Sequence, residues 1–289
     1  MLARIALLLM VVLLLSSCKT TPRPTPPNGQ VENTPTYESL VSHHNERIKK
    51  FRGINAGGSI EMRWTDDDGD HFETCLAEVW IKLPDKTALN IQKLGERLMW
   101  LGSNGDDAWV MTFAKEEKVL YVYGSDERKQ EDSPTRLPIE PSLLLKMLGL
   151  SKITIPENAK SKPVDFDAER DAWILSVPGE QRSLRLYFDR EKKLPIRIEY
   201  LTAEGKIQMY SELLLRRYDT VEMVGLIPGT QPMFPTLVDI YNTQGLGEIK
   251  LALRQPVDDV KDHFFDLDWI IRTFKPDRIE REVKEPATP

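Results

Sequence analysis

From Gly53 onward the chain repeatedly alternates apolar and polar residues in short runs, and most runs close on a charged or glycine-bearing turn. A period of two sends successive side chains to opposite faces of a strand, so each run can bury one face and wet the other. Ile60, Met62 and Trp64 alternate with Ser59, Glu61 and Arg63; an acidic turn from Asp66 to Asp70 leads into Leu76, Glu78, Trp80 and Lys82. Residues 87–94, 98–101, 108–113 and 119–123 read as a meander, and Asn104-Gly105 supplies the positive φ values of a tight hairpin. Strand patterns resume at 173–177, 183–188, 195–201, 207–215, 236–242 and 248–253. So many strands with so few helices, and no alternating βα units, predict a mainly β (α+β) fold built on one large, strongly curved antiparallel sheet.

The helices are few. Thr36 offers an N-cap, and Tyr37, Leu40, Val41, His44, Ile48 and Phe51 follow at helical spacing, with Lys49 and Lys50 in the last turn where they suit the helix dipole. A second, short helix is expected over 141–148, opening at Pro141 and closing at Gly149. In 256–268, Val260, Phe264 and Phe265 are expected to pack down, and the charged, proline-ended tail from Lys275 to fray.

Ahead of the domain, Arg4 precedes an unbroken apolar run from Ile5 to Leu15, and Ser16 and Ser17 lead into Cys18. Eleven apolar residues are too few to span a bilayer core, which takes about 20, so residues 1–17 read as a cleaved signal. The Leu-Ser-Ser-Cys junction resembles the lipobox of bacterial lipoproteins. That resemblance implies lipidation of Cys18, fatty acylation of the new amino terminus and membrane attachment through those chains; an ordinary secretory signal with an incidental cysteine is the alternative. Residues 18–35 are rich in Pro and Thr and read as a disordered tether, followed by a domain over 36–274 and a charged tail over 275–289. With Cys18 acylated, Cys75 is the only other cysteine and reads as buried filler. The net charge of −6 carries no basic footprint for nucleic acid.

Catalysis needs a nucleophile with its base, or paired carboxylates, and no such pattern emerges. The expectation is no enzyme, no catalytic residue, no cofactor and no metal. Adjacent His43 and His44 diverge on a helix, His71 sits beside the acidic turn and His263 beside Phe264. The Asp66–Asp70 run lacks the alternating acidic positions of a calcium loop and reads as a solvated turn.

Phe51-Arg52-Gly53 closing the first helix, Gly105-Asp106-Asp107-Ala108-Trp109 before the charged Glu116-Glu117-Lys118, and Phe188-Asp189 through Leu194-Pro195-Ile196-Arg197-Ile198-Glu199 to Glu204-Gly205 match in order and spacing a known pattern. By these the chain resembles the bacterial lipoprotein-carrier superfamily, which includes the periplasmic carrier and the outer-membrane receptor of lipoprotein sorting. The resemblance implies an incomplete β-barrel whose concave apolar face is capped by helices and receives acyl chains. Its receptor branch bears an exposed leucine on a loop, whereas residues 115–118 here are wholly charged. The expected function is a membrane-anchored envelope lipoprotein binding an acyl chain or lipidated protein, in lipoprotein sorting or lipid transport. Candidate ligand-binding residues are Trp80, Leu89, Ile91, Leu98, Trp100, Trp109, Met111, Tyr121, Trp173, Leu186 and Phe188. The alternative is a structural or envelope-sensing lipoprotein with a filled core. Lys19, in place of Asp after the cysteine, implies the outer membrane facing the periplasm.

Overall fold

The structure, a computed structural model, describes residues 34–66, 68–114, 117–124, 140–155, 160, 164–179, 183–243 and 247–282. The signal, Cys18 and all but the last two residues of the tether lie outside the described residues. The chain from Pro35 forms one compact unit.

Helix α1 (Tyr37–Lys49) starts where expected: the Thr36 side chain accepts a hydrogen bond from the Ser39 amide at 3.2 Å. Six strands follow as successive antiparallel neighbours: β1 (Gly53–Asp66), β2 (Gly69–Lys82), β3 (Lys86–Lys93), β4 (Glu96–Ser103), β5 (Asp107–Phe113) and β6 (Lys118–Gly124). The expected helix at 141–148 is a 3₁₀ turn at Pro141–Leu143 running into α2 (Leu144–Met147). Then come β7 (Asp165–Asp167), β8 (Ala172–Val177), β9 (Ser183–Asp189), β10 (Pro195–Leu201) and β11 (Ile207–Leu213). A small side sheet of β12 (Tyr218–Thr220) and β13 (Met233–Pro235) precedes β14 (Leu237–Asn242) and β15 (Gly247–Val257).

Among the described residues fourteen strands, the last of them β16 (Arg278–Arg281), share one sheet in the order β16-β6-β5-β4-β3-β2-β1-β15-β14-β11-β10-β9-β8-β7. Two wings, one of β1–β6 with β16 and the other of β7–β11 with β14 and β15, are sewn together where β1 pairs antiparallel with β15. At this seam a Cβ on Gly58 would fall on the carbonyl oxygen of Ala252, so only glycine lets the two backbones approach. A twisted sheet of this size curls, and register shifts in the β1–β15, β3–β4, β9–β10 and β10–β11 pairs mark where strands bend. The edge strands β16 and β7 do not pair with each other, so the sheet stays open, as an incomplete barrel requires.

Two expectations change at the C-terminus. The packed segment continues past Asp268 as a 3₁₀ turn at Asp262–Phe265 and α3 (Leu267–Phe274), capped by Asp266, whose carboxylate accepts from the Asp268 and Trp269 amides. The tail does not fray at Lys275: β16 (Arg278–Arg281) runs parallel to β6, tied in by the Asp277 amide on the Lys118 carbonyl at 2.9 Å. It is the one parallel pair in the large sheet among the described residues. Unpaired edge groups of β6 find partners this way, which outweighs the charge of the segment.

Candidate functional site

Register assigns each candidate residue to a face. Leu89 pairs with Leu101, Leu101 with Val110, and Val110 with Tyr121; Trp173 pairs with Phe188, and Leu186 with Ile198. These residues, with Ile91, share the face on which α1 and the 141–150 segment lie. Trp80, Trp100, Trp109 and Met111 occupy the other face, beneath α3. Leu98 is skipped by the β3–β4 register, opposite no single partner, and is half-buried. One concave cavity lined by all eleven residues is therefore excluded: side chains on opposite faces of a sheet cannot meet one ligand.

The inner face is apolar across both wings and carries a close-fitting cover. Leu40, Val41 and Ile48 of α1 and Leu143, Leu144, Leu145, Met147, Leu148 and Leu150 are all buried. Their attachments to the sheet are mostly single polar contacts. Thr87 Oγ1 donates to the Pro141 carbonyl at 3.1 Å, and Ser211 Oγ to that of Met147 at 2.7 Å. Tyr37 donates to the Ser176 carbonyl on β8, and the His44 ring meets Phe188 of β9 edge-on, centroids 5.5 Å apart. His44 Nε2 lies 3.0 Å from the Ser151 carbonyl, which fixes Nε2 as the protonated nitrogen, while Nδ1 is buried with no partner. Burial, followed by the nearby Arg47 charge, holds the His44 pKa down at about 3.

Arg47 joins the two parts of the cover. It is 7% exposed, and its guanidinium donates to the carbonyls of Gly149, just beyond α2, and of Met233 on β13, the latter at 2.9 Å. No carboxylate pairs with it among the described residues, and its Nε is buried without a partner. Burial drives its pKa down. A guanidinium held by two neutral carbonyls and the face of Phe51, 5.9 Å from its centroid, is far from its best solvation, so the closed cover retains a group that water would hold better.

The opposite face divides in two. Over β2–β6 it is an aromatic block: Trp80 stacks on Trp100 at 5.1 Å and on Phe264 at 4.3 Å, and Arg97 lies over Trp100, Phe113 and Phe274. Trp109 lies flat across β4 because position 102 is glycine; a Cβ there would sit 2.7 Å from its ring. Over β9–β11 the face is charged. Glu199, 3% exposed, accepts from Arg185 at 3.0 Å, Arg197 at 2.7 Å and Tyr187 at 3.3 Å, and Arg197 continues to Glu212.

An exposed leucine is present, but at the β3–β4 turn and not at 115–118. Leu94 is 95% exposed with φ of 53°, a left-handed conformation that a bulky residue enters at a cost. Nothing in the fold requires leucine there. Cys75 is buried on the inner face, and burial raises its pKa, as suits a packing thiol. Of the Asp66–Asp70 run, Asp66 ends β1 and pairs with Gly69 at the start of β2, and Asp67 lies outside the described residues. Among the described residues no group of three or more His, Cys, Asp or Glu is placed to hold a metal ion.

No protein-family model and no curated protein matches the chain. Solved structures do. A DUF1329 family protein from Desulfovibrio piger superposes with a TM-score of 0.53 at 9% identity, over 80% of this chain and 96% of that one. A LolA superfamily protein from Nitrosomonas europaea gives 0.48 at 13% identity, covering 79% and 98%. A putative outer membrane lipoprotein-sorting protein domain from Vibrio parahaemolyticus gives 0.47 at 10% identity, covering 81% and 98%. At these identities the likeness is one of fold.

Proposed function

We propose that this chain is a lipid-anchored protein of the cell envelope, moored through Cys18 and facing the periplasm from the outer membrane. Its inner sheet face takes up an acyl chain or a lipidated protein when α1 and the 141–150 segment lift. The observation that carries this reading is Arg47. The residue that fastens the cover is a buried cation without an anion, so opening restores its hydration and offsets part of the apolar area exposed. A guest chain then replaces the leucines. Each methylene buried contributes about 0.8 kcal/mol, so half of a sixteen-carbon chain supplies roughly 6 kcal/mol before ordering terms. Leu89, Ile91, Tyr121, Trp173, Leu186 and Phe188 are the proposed contacts; Leu94 is the proposed point at which the domain touches lipid. In this reading the protein is a carrier or receptor and catalyses nothing.

The rival reading, a moored structural or envelope-sensing scaffold, is favoured by the completeness of the cover: Leu144 and Leu148 are 2% and 0% exposed. A palmitate bearing a photoactivatable diazirine, presented in vesicles to the full chain, separates the two. Adducts on the inner-face residues support uptake. Adducts confined to exposed residues such as Leu94, or none, leave the scaffold.

A further inference from the structure

Three large apolar side chains are left exposed at the end of the sheet where α1 hands over to β1. They are Val224 (74% exposed), Ile227 (72%) and Val257 (47%), the last bridged to Glu222. We infer that the loop joining β12 to β13 is a bilayer-contacting element that sets Val224 and Ile227 into the lipid interface. Two successive turns build its tip. The Leu226 amide returns to the Met223 carbonyl at 3.2 Å and the Thr230 amide to that of Ile227 at 3.0 Å. Gly225 and Gly229, both at φ 87°, hold the third place, where such turns take a positive value. A Cβ on either glycine would meet nothing within 4 Å, so the tip stands clear of the fold.

What the loop offers decides its partner. From Met223 to Val238 no residue is charged. Five carbonyls of the loop are already taken from within the protein: those of Met223 and Ile227 by the turns, and that of Leu226 by the Gln231 side-chain amide at 3.1 Å. Arg52 donates to the Val224 carbonyl, and Lys50 to that of Thr230 at 2.9 Å. Backbone acceptors satisfied internally are what a segment needs before it leaves water for lipid. They also leave a protein partner little to read beyond apolar side chains. Arg52 is paired with Asp258 at 3.2 Å, and Asp258 and Asp259 flank Val224, so apolar burial supplies the attraction and net charge does not. Leu94 lies toward the opposite end of the sheet, so the two contacts belong to alternate orientations of the domain. Only a bilayer within reach is needed from the proposed mooring; acyl uptake plays no part.

Site-specific labelling of the full chain in phosphatidylcholine vesicles tests this. Ile227→Cys and, separately, Val224→Cys are coupled to nitrobenzoxadiazole, and Thr74→Cys, exposed in mid-strand on β2, is the control. Leu94→Cys reports the other candidate contact, and the unmutated chain gives the background from Cys18 and Cys75. The dye at 227 or 224 should shift to the blue and be quenched by brominated acyl chains at least about twofold more than at 74. The two loop positions are separate variants, so poor folding of one leaves the other to decide. A chain that floats with the vesicles while both loop dyes behave as the control overturns the inference and leaves the mooring intact; a chain that does not float overturns both. Quenching at Leu94→Cys alone also overturns it, as does a blue shift without lipid that grows with protein concentration, which marks a second copy as the occupant.

Discussion

Acidification should unfasten α1 through a single ring. His44 is 1% exposed, donates through Nε2 to Ser151, and has no acceptor near Nδ1. Protonation would bury a charge away from water and set it, with a stranded donor, beside the Arg47 guanidinium, and burial first and Arg47 second hold the folded-state pKa down at about 3. The unfolded chain has the ordinary value near 6.5, so between 6.5 and 3 the unfolded state binds more protons. For a depressed histidine the contribution is fully present above pH 6.5 and is lost as pH falls through that window. From pH 7.5 to pH 5 the loss is about 2 kcal/mol, and shifting the folded value by a whole unit barely alters it, because at pH 5 the folded ring is neutral either way. Urea unfolding followed by far-UV circular dichroism at the two pH values measures it. Other groups also titrate in this range, so the informative quantity is the difference between parent and His44→Gln, which keeps an N–H for Ser151 but does not titrate. The variant should be less stable at pH 7.5 through imperfect packing, yet lose about 2 kcal/mol less on acidification. Equal losses in the two proteins would refute the assignment of a buried, neutral His44.

Other perturbations probe the rest of the architecture. Gly58→Ala should cost more than about 4 kcal/mol, or abolish the cooperative transition, by blocking the β1–β15 seam, whereas Gly57→Ala, which meets nothing within 4 Å, should be tolerated; thermal unfolding distinguishes them. Glu199→Gln leaves Arg185 and Arg197 without their shared buried carboxylate and should cost roughly 3 kcal/mol in urea unfolding. Leu94→Asn suits the left-handed turn and should raise stability by about 0.5–1 kcal/mol in the same assay. If Leu94 is the lipid contact, that variant should also associate less with vesicles by flotation.

What the sequence disclosed was the alternation itself. The strands of the meander, the Thr36 cap and the place of the β4–β5 turn follow from patterns a few residues long; of Asn104 and Gly105, however, only Gly105 takes positive φ, and Asn104 shapes the turn through its side chain, which accepts from the Asp106 and Asp107 amides. Faces did not follow. Whether Trp100 and Leu89 share a side depends on pairing between strands, and a bulge such as the one skipping Leu98 resets that parity without any mark in composition. Arg47 falls on the buried stripe of α1, seven residues after Leu40, yet its residue type argues for solvent, and the carbonyls that receive it come from distant segments. Helix α3 was not expected although its signal is present: Asp266 caps it, and Leu267, Ile270, Ile271 and Phe274 follow at helical spacing. Strand β16 carries no such signal, since a short charged segment becomes a strand only when an edge is waiting for it.

The seam between β1 and β15 has a consequence for biogenesis. A chain synthesised amino end first delivers β1 through β6 long before β15, so the long β1 strand must wait with one side unsatisfied. The nascent half-sheet is at that stage a template for any passing strand. Escorts that shield emerging β edges should govern the yield of this protein more than its final stability does.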